Sequence, residues 1–288
     1  MLLVAQAKGE EMTEYHILNL GAGVQSTALY LMDLDLELEH QFDCAIFADT
    51  GDEPAAVYKH LEWLQSLGGA EILVRSRGCL GDDLLKGQNS TGQRFVSIPA
   101  FTQMNTGGSV GQVRRQCTME YKVQVVEKCI RRDVLGLLPR QRTPKDVKLV
   151  QYLGFSLDEP GRAARARGRF ELRGWSDVRF PLIEDKMTRQ DCMNYLEKRV
   201  PHHVPRSACV YCPYKSNREW LRLKNNDPDG WARAVEIDEG MRTEGTVFNR
   251  KMDANLYLHR SCKPLAEAPL DENQLELFDM ECEGGCGL

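Results

Sequence analysis

The sequence predicts an α/β fold, a mostly parallel twisted sheet with helices on both faces, plus a C-terminal helical, cysteine-bearing segment. Three observations carry that expectation. Short apolar runs alternate with segments whose apolar residues recur at helical spacing, and glycine turns such as Gly21, Gly51 and Gly68-Gly69 separate them. At 288 residues the chain can bury a sizeable core in one large domain, or in one domain with a smaller appendage.

Tyr15 to Leu20 has strand character and ends at Gly21, and Ser26 to Leu34 has the apolar spacing of a helix. Asp43 to Ala48 reads as a buried strand. Pro54 suits the first turn of a helix running to about Leu67, and Ala70 to Val74 is a third strand. Residues 78–116 change texture, with many polar and turn residues. A stretch of this kind is a disordered insert or a functional lid, and its end at Arg114-Arg115-Gln116-Cys117 favours the lid. Glu120 to Leu135 resumes as a helix, Val147 to Phe155 as a strand, and Val178 to Ile183 as the last strand. Thr188 is an N-cap for Arg189 to Lys198, and Asn217 to Leu223 and Gly230 to Arg242 are helical. The organisation expected is an α/β domain over 1–185, a helical cysteine-containing region over 186–265, and a flexible acidic tail over 266–288.

The formal net charge of −5 argues against a protein that coats nucleic acid by bulk electrostatics. A local basic groove remains open, because Arg162, Arg165, Arg167, Arg169 and Arg173 lie in one short stretch. That run reads equally well as a solvated loop or helix face. No apolar run spans a bilayer and Met1 to Thr13 lacks a signal-peptide pattern, so the expectation is a cytoplasmic protein with no membrane partner. Ten cysteines in such a compartment are not a disulfide framework. Cys44, Cys129 and Cys192 read as small core residues, and the role of Cys79 is open. Cys117, Cys209, Cys212 and Cys262 sit among polar or turn residues, where ligands are presented, and Cys282 and Cys286 lie in a glycine-rich tail.

The turn Gly21-Ala22-Gly23-Val24-Gln25-Ser26-Thr27 follows a strand and opens a helix. Such a turn lets backbone amides reach phosphate oxygens beside the positive helix end, with Ser26 and Thr27 as hydroxyl donors. Tight helix–strand packing is the competing explanation. The pattern is neither the Walker motif nor the dinucleotide fingerprint. Asp49-Thr50-Gly51-Asp52-Glu53 lies beyond the next strand, where ligands of open α/β sheets bind, and its carboxylates suit a ribose hydroxyl or Mg²⁺. Asp52 and Glu53 equally suit caps for the helix starting at Pro54.

With these residues in place, the chain resembles the PP-loop adenine-nucleotide superfamily, and within it the phosphoadenosine phosphosulfate (PAPS) reductase family. That family carries a Ser-Gly-Gly-x-Asp-Ser type loop and an Asp-Thr-Gly turn. Here Gly21 replaces the first serine and Gln25 the aspartate. Arg115-Gln116-Cys117-Thr118 with Tyr121-Lys122, and Gly154 to Glu159 with Arg162, resemble the family's substrate-contacting segments. The resemblance implies a PP-loop fold to about Ile183 and an adenine nucleotide, ATP or a sulfonucleotide, on Gly21 to Thr27, Asp49 to Asp52, Arg115 and Gly154. It also implies Lys122, Arg115 and Arg162 as neutralisers of phosphate or sulfate oxygens.

Cys209-Val210-Tyr211-Cys212-Pro213 is a paired-thiolate knuckle, which with Cys117 and Cys262 suits a four-thiolate site. Ligand counting alone slightly favours structural zinc. The resemblance favours a [4Fe–4S] cluster, and the single–pair–single arrangement is similar to the ATP pyrophosphatases of DNA phosphorothioation systems. The function expected is an iron–sulfur enzyme that cleaves ATP to activate an acceptor for sulfur transfer. Its partners would be a nucleic-acid acceptor, a sulfur donor or reductant protein, and a second copy in a homodimer. The alternative is reduction of adenylyl sulfate or PAPS with Cys286 as nucleophile, although the family's flanking Glu and His are missing from the tail. A non-catalytic nucleotide-binding protein with a zinc knuckle is the third reading.

Overall fold

The computed structural model of the chain describes residues 12–89, 91–92, 97–104, 110–243 and 254–270. Its centre is a five-stranded sheet in the order β3-β2-β1-β6-β7, formed by β1 (Thr13–Leu20), β2 (Cys44–Asp49), β3 (Glu71–Ser76), β6 (Val147–Leu153) and β7 (Asp177–Arg179). Every neighbouring pair is parallel. Helices flank the sheet, so the fold class is α/β. The residues dictate this: β2 is the apolar run Cys-Ala-Ile-Phe-Ala-Asp, buried until its last residue, as a strand covered on both faces must be. Leu18, Ala45 and Phe47 enter one apolar cluster with α1 (Val24–Leu34), while Ile17, Cys44 and Ile46 enter another with α4 (Gln124–Cys129). The alternation of faces along β1 and β2 thus builds two cores. Cys192 and Leu196 of α7 (Arg189–Glu197) join the first of them, and the expected Thr188 cap accepts from the Asp191 amide.

Two expectations are corrected. Residues 78–116, expected to lack regular structure, contain among their described residues α3 (Leu80–Lys86), β4 (Phe101–Met104) and β5 (Gly111–Gln112). The strands of this segment are very short, and β4 pairs antiparallel with both β5 and the distant β8 (Ala254–Tyr257), so no local periodicity announces them. The strand expected over Val178 to Ile183 stops at Arg179. Pro181, which has no amide hydrogen, starts the short helix α6 (Pro181–Glu184) instead. The arginine-rich run is α5 (Pro160–Arg173), again with proline in the first turn.

The helix after Cys117 carries five-residue π turns on both sides of α4, Met119–Val123 and Ile130–Val134. Helix α2 (Ala55–Ser66) receives no side-chain cap from Asp52 or Glu53. Its Ala55 amide donates to Asp227 Oδ2 at 2.9 Å, while Oδ1 of the same carboxylate accepts the Gly230 amide of α9 (Pro228–Gly240) at 3.0 Å. One side chain therefore caps two helices. Helix α8 (Asn217–Asn226) precedes α9 and is closed at its start by a reciprocal Ser216–Glu219 capping box. Among the described residues, no helix is long and apolar enough to cross a membrane.

Candidate functional site

From β1 the chain moves outward to β2 and β3 on one side and returns to β6 and β7 on the other. Strand order thus reverses between β1 and β6, and the crevice where open α/β sheets bind ligands lies beyond the strand ends at that point. The first loop is the glycine turn. Its left-handed residue is Ala22 (φ 56°), and neither flanking glycine has a positive φ. Ser26 Oγ accepts from the amides of Gly21 at 3.2 Å and Gly23 at 3.3 Å and closes the turn on itself. Thr27, expected to offer its hydroxyl to phosphate, is instead bonded to His60 Nε2 of α2 at 2.9 Å. His60 Nδ1 in turn meets His202 Nε2 at 2.8 Å. Burial, and secondarily His202, pushes the His60 pKa down to about 4. Gly154, at the end of β6, has a packing reason: a Cβ there would stand 2.9 Å from the Ser26 amide nitrogen. At Gly23 a Cβ would meet only ordinary contacts, 3.9–4.0 Å from Ser207.

Gln25 is fully buried and uses both ends of its amide. Nε2 donates to Ser156 Oγ at 3.4 Å and Glu159 Oε2 at 3.2 Å, and Oε1 accepts from Arg189 at 3.1 Å. An aspartate, as in the resembled loop, would lack that donor and place a second carboxylate opposite Glu159. Arg162 pairs with Glu159 and lies over Phe155, 4.6 Å from its ring centroid. The sequence pointed to Gly154 to Glu159 and Arg162 together; it gave no signal for Arg189, which arrives from α7.

The turn after β2 is organised by carboxylates. Asp49 Oδ1 accepts from the Gly51 amide and the Tyr58 hydroxyl. Gly51 (φ 84°) packs so closely on Cys79 that a Cβ would lie 3.0 Å from its Cα. Asp52 Oδ2 accepts from the Cys79 thiol, the Gly81 amide and the Tyr211 hydroxyl at 3.0–3.1 Å, and Oδ1 accepts from Arg233 at 3.1 Å. Asp52 is thus a structural cross-link, whereas the sequence suggested a ribose or Mg²⁺ ligand or a cap for α2. Glu53 is fully buried: Oε1 accepts from Thr50 at 3.1 Å and from Lys122 at 3.2 Å, while Oε2 has no hydrogen-bond partner.

Lys122 stands where three features meet. It sits in a π turn, a helix irregularity frequent at functional sites. Together with Asn19, Gly21 and Ala48 it lines a cavity of 20 Å³ at the ends of β1 and β2, room for about one water. Burial opposes the charge on Lys122, but Glu53, Cys209 and Cys117 outweigh it and hold the ammonium above its ordinary pKa.

Cys117, Cys209 and Cys212 influence one another electrostatically. Burial, with Cys212 next, pushes the Cys117 thiol up to about 11 against the opposing Arg115, and burial drives Cys209 well above its ordinary value. Thr50 Oγ1 lies 3.1 Å from Cys209 Sγ, which joins the thiols to the turn after β2. Cys262 is buried on the turn after β8 in a left-handed backbone (φ 51°), and its thiol is raised by burial with no other cysteine contributing. Among the described residues, no group of three or more His, Cys, Asp or Glu is arranged to hold a metal ion. The donor chemistry of the three coupled thiols fits a thiolate-bound metal or cluster that would draw them together. The tail with Cys282 and the expected nucleophile Cys286 lies outside the described residues.

On α5, Arg162, Arg165, Arg169 and Arg173 follow helical spacing along one face, which Arg173 leaves paired with Glu127. Burial, Arg165 and Arg115 all depress the Arg169 pKa, which places Arg115 among this cluster. Arg115 lies over Tyr214, 5.8 Å from its ring centroid. Lys215, without a signal in the sequence, is a buried lysine whose ammonium burial disfavours, against Cys212 and Glu219. No known protein-family model matches this chain, and no curated protein matches it.

Proposed function

We propose that the chain is a PP-loop-like enzyme of sulfur chemistry that binds or cleaves ATP, or another adenine nucleotide, to activate an acceptor. The observation that carries this reading is Lys122: one fixed cation lines the cavity beside Gly21, pairs with Glu53 and is coupled to Cys209 and Cys117. A positive charge held by the fold before reaction stabilises charge developing on phosphate or on a leaving oxyanion. Arg162 and Arg115 supply further cations at the rim, and Mg²⁺ is a fitting counter-ion for the nucleotide. Ser207 stands at ordinary contact distance from Gly23, beside the turn that would receive the phosphates. The acceptor reaches the site along the arginine face of α5, which suits the phosphates of a nucleic acid.

Cys117, Cys209 and Cys212, with Cys262 as fourth candidate, would hold a [4Fe–4S] cluster or zinc. When bound, such a group supplies a site for sulfur or, as zinc, a structural tie. Lys122 favours the thiolate forms that ligation needs.

Anaerobic purification tests this. The expected protein is brown, contains iron and sulfide, and bleaches when Cys117, Cys209 or Cys212 is replaced by Ser, but not with Cys44→Ser, whose thiol lies in a separate apolar cluster. The Cys262→Ser colour decides between three and four protein ligands. With ATP and acceptor the protein should release pyrophosphate. A colourless preparation with stoichiometric zinc removes the cluster, and thiol-dependent sulfite release from adenylyl sulfate or PAPS replaces ATP cleavage by reduction.

A further inference from the structure

A cavity of 380 Å³ lies between the small antiparallel sheet and the Cys-x-x-Cys-Pro turn, apart from the crevice at the strand ends. Its volume falls within the range of about 300–1,000 Å³ typical of small-molecule sites. Phe101 and Tyr214 give it two aromatic walls, Lys215 and Arg260 two cations, and Gln112 an amide; among the described residues that line it, none is a carboxylate. In a chain of net charge −5 that is a local inversion of sign. Lys215 is 8% exposed, and its Nζ donates to the Ala208 carbonyl at 3.4 Å without pairing to a carboxylate among the described residues. The Gln112 Nε2 is used by the Pro99 carbonyl, which turns its amide into a fixed, oriented group. Tyr214 stands two residues after Cys212 and beside Arg115.

Aromatic walls with cations that pair with no carboxylate among the described residues select a ligand that is planar at one end and anionic at the other. We propose that this cavity is the acceptor subsite and takes one nucleotide unit, its base against Phe101 and Tyr214 and its phosphate on Lys215 and Arg260. The proposal rests on the sulfur-transfer reading above and narrows it: the group presented to the thiols is a base rather than the phosphodiester backbone. The arginine face of α5 then carries the flanking phosphates of the strand, through Arg115 beside Tyr214. A base must leave its stack to enter, so single strands are preferred over duplex.

The test is binding of a short fluorescein-labelled single-stranded oligonucleotide, followed by anisotropy at low salt, so that it is independent of ATP cleavage. Tyr214→Ala and Lys215→Met should each weaken binding by about tenfold or more, the scale of one lost stacking or phosphate contact. Gly23→Val should leave it unchanged while abolishing ATP binding, so a failure of the nucleotide reading and a failure of this subsite give different patterns. AMP as competitor separates the sources: weak competition identifies a strand, and competition at equal affinity identifies a free nucleotide in the same cavity. Should either variant fold poorly, photocrosslinking of a 5-iodouridine oligonucleotide to the wild-type chain keeps the test open, with Phe101 or Tyr214 the expected adduct. Unchanged affinity in both folded variants, or adducts mapping only to the β1 turn, overturns the proposal.

Discussion

The turns that follow β1 and β2 sit side by side at the end of one sheet and are built in opposite ways. The first is closed at its Gly21–Gly23 end by local hydrogen bonds from Ser26, and its far end is tied by Gln25 to Glu159 and Arg189 and by Thr27 to His60. The second is held by charge and by distance, with Asp52 reaching α3, Tyr211 and α9, and Glu53 reaching Lys122. The Gly21–Gly23 end of the first turn can change shape without breaking any of these long-range bonds. A turn whose carboxylates are cross-links cannot. The first is therefore suited to admit a ligand, and the second to fix the geometry into which the ligand is admitted.

The sharpest way to break this contrast is Asp52→Ala. It leaves the buried Tyr211 hydroxyl and the Gly81 amide without their acceptor and removes one partner of Arg233, so a loss of about 3–5 kcal/mol is expected. Urea denaturation measures it, and a loss below about 1 kcal/mol would show the second turn to be as independent as the first.

Acid probes the tie between the first turn and α2. His60 titrates near 4 in the folded chain, against 6.5 when unperturbed, so the unfolded chain takes up the proton first. The contribution is complete above pH 6.5 and is lost as pH falls toward 4, about 3 kcal/mol across that window. His60→Gln should flatten the slope of stability against pH there. An unchanged slope would place the acid sensitivity elsewhere.

Gly23→Val should have the smallest effect on stability, within about 1 kcal/mol, because the new Cβ meets Ser207 only at ordinary contact distance. Calorimetry should nevertheless find adenine-nucleotide binding gone. Retained binding in the folded variant would take the first turn out of the site.

The sheet was legible in the sequence because each strand announces itself locally: Cys44 to Ala48 is continuously apolar and Thr188 caps its own helix. The convergence of the first two turns also followed from strand order alone. What escaped was everything set by partners remote in the chain. Nothing near Asp52 in sequence tells of Arg233, and nothing in Gln25 tells of Arg189 or Glu159. The strands β4 and β8 stabilise each other across roughly half the chain, too short to be recognised separately. Among the cysteines, local polarity picked out Cys117, Cys209 and Cys212, which the fold brings under one another's influence. It picked out Cys262 by the same criterion, and the fold buries that thiol on the turn after β8.

The shared cap at Asp227 bears on how the chain is made. Helix α2 is complete in sequence by Ser66, yet the acceptor for its Ala55 amide lies 172 residues further on. At about 5–20 residues per second, the interval between the two leaving the ribosome is on the order of ten to thirty seconds. During that time β1, α1, β2 and α2 are all outside the tunnel with the helix end satisfied only by water, and the unpaired edge of β1 awaits β6. The nascent chain thus passes that interval with the start of α2 uncapped by protein, and the same carboxylate that starts α9 is the one that completes it.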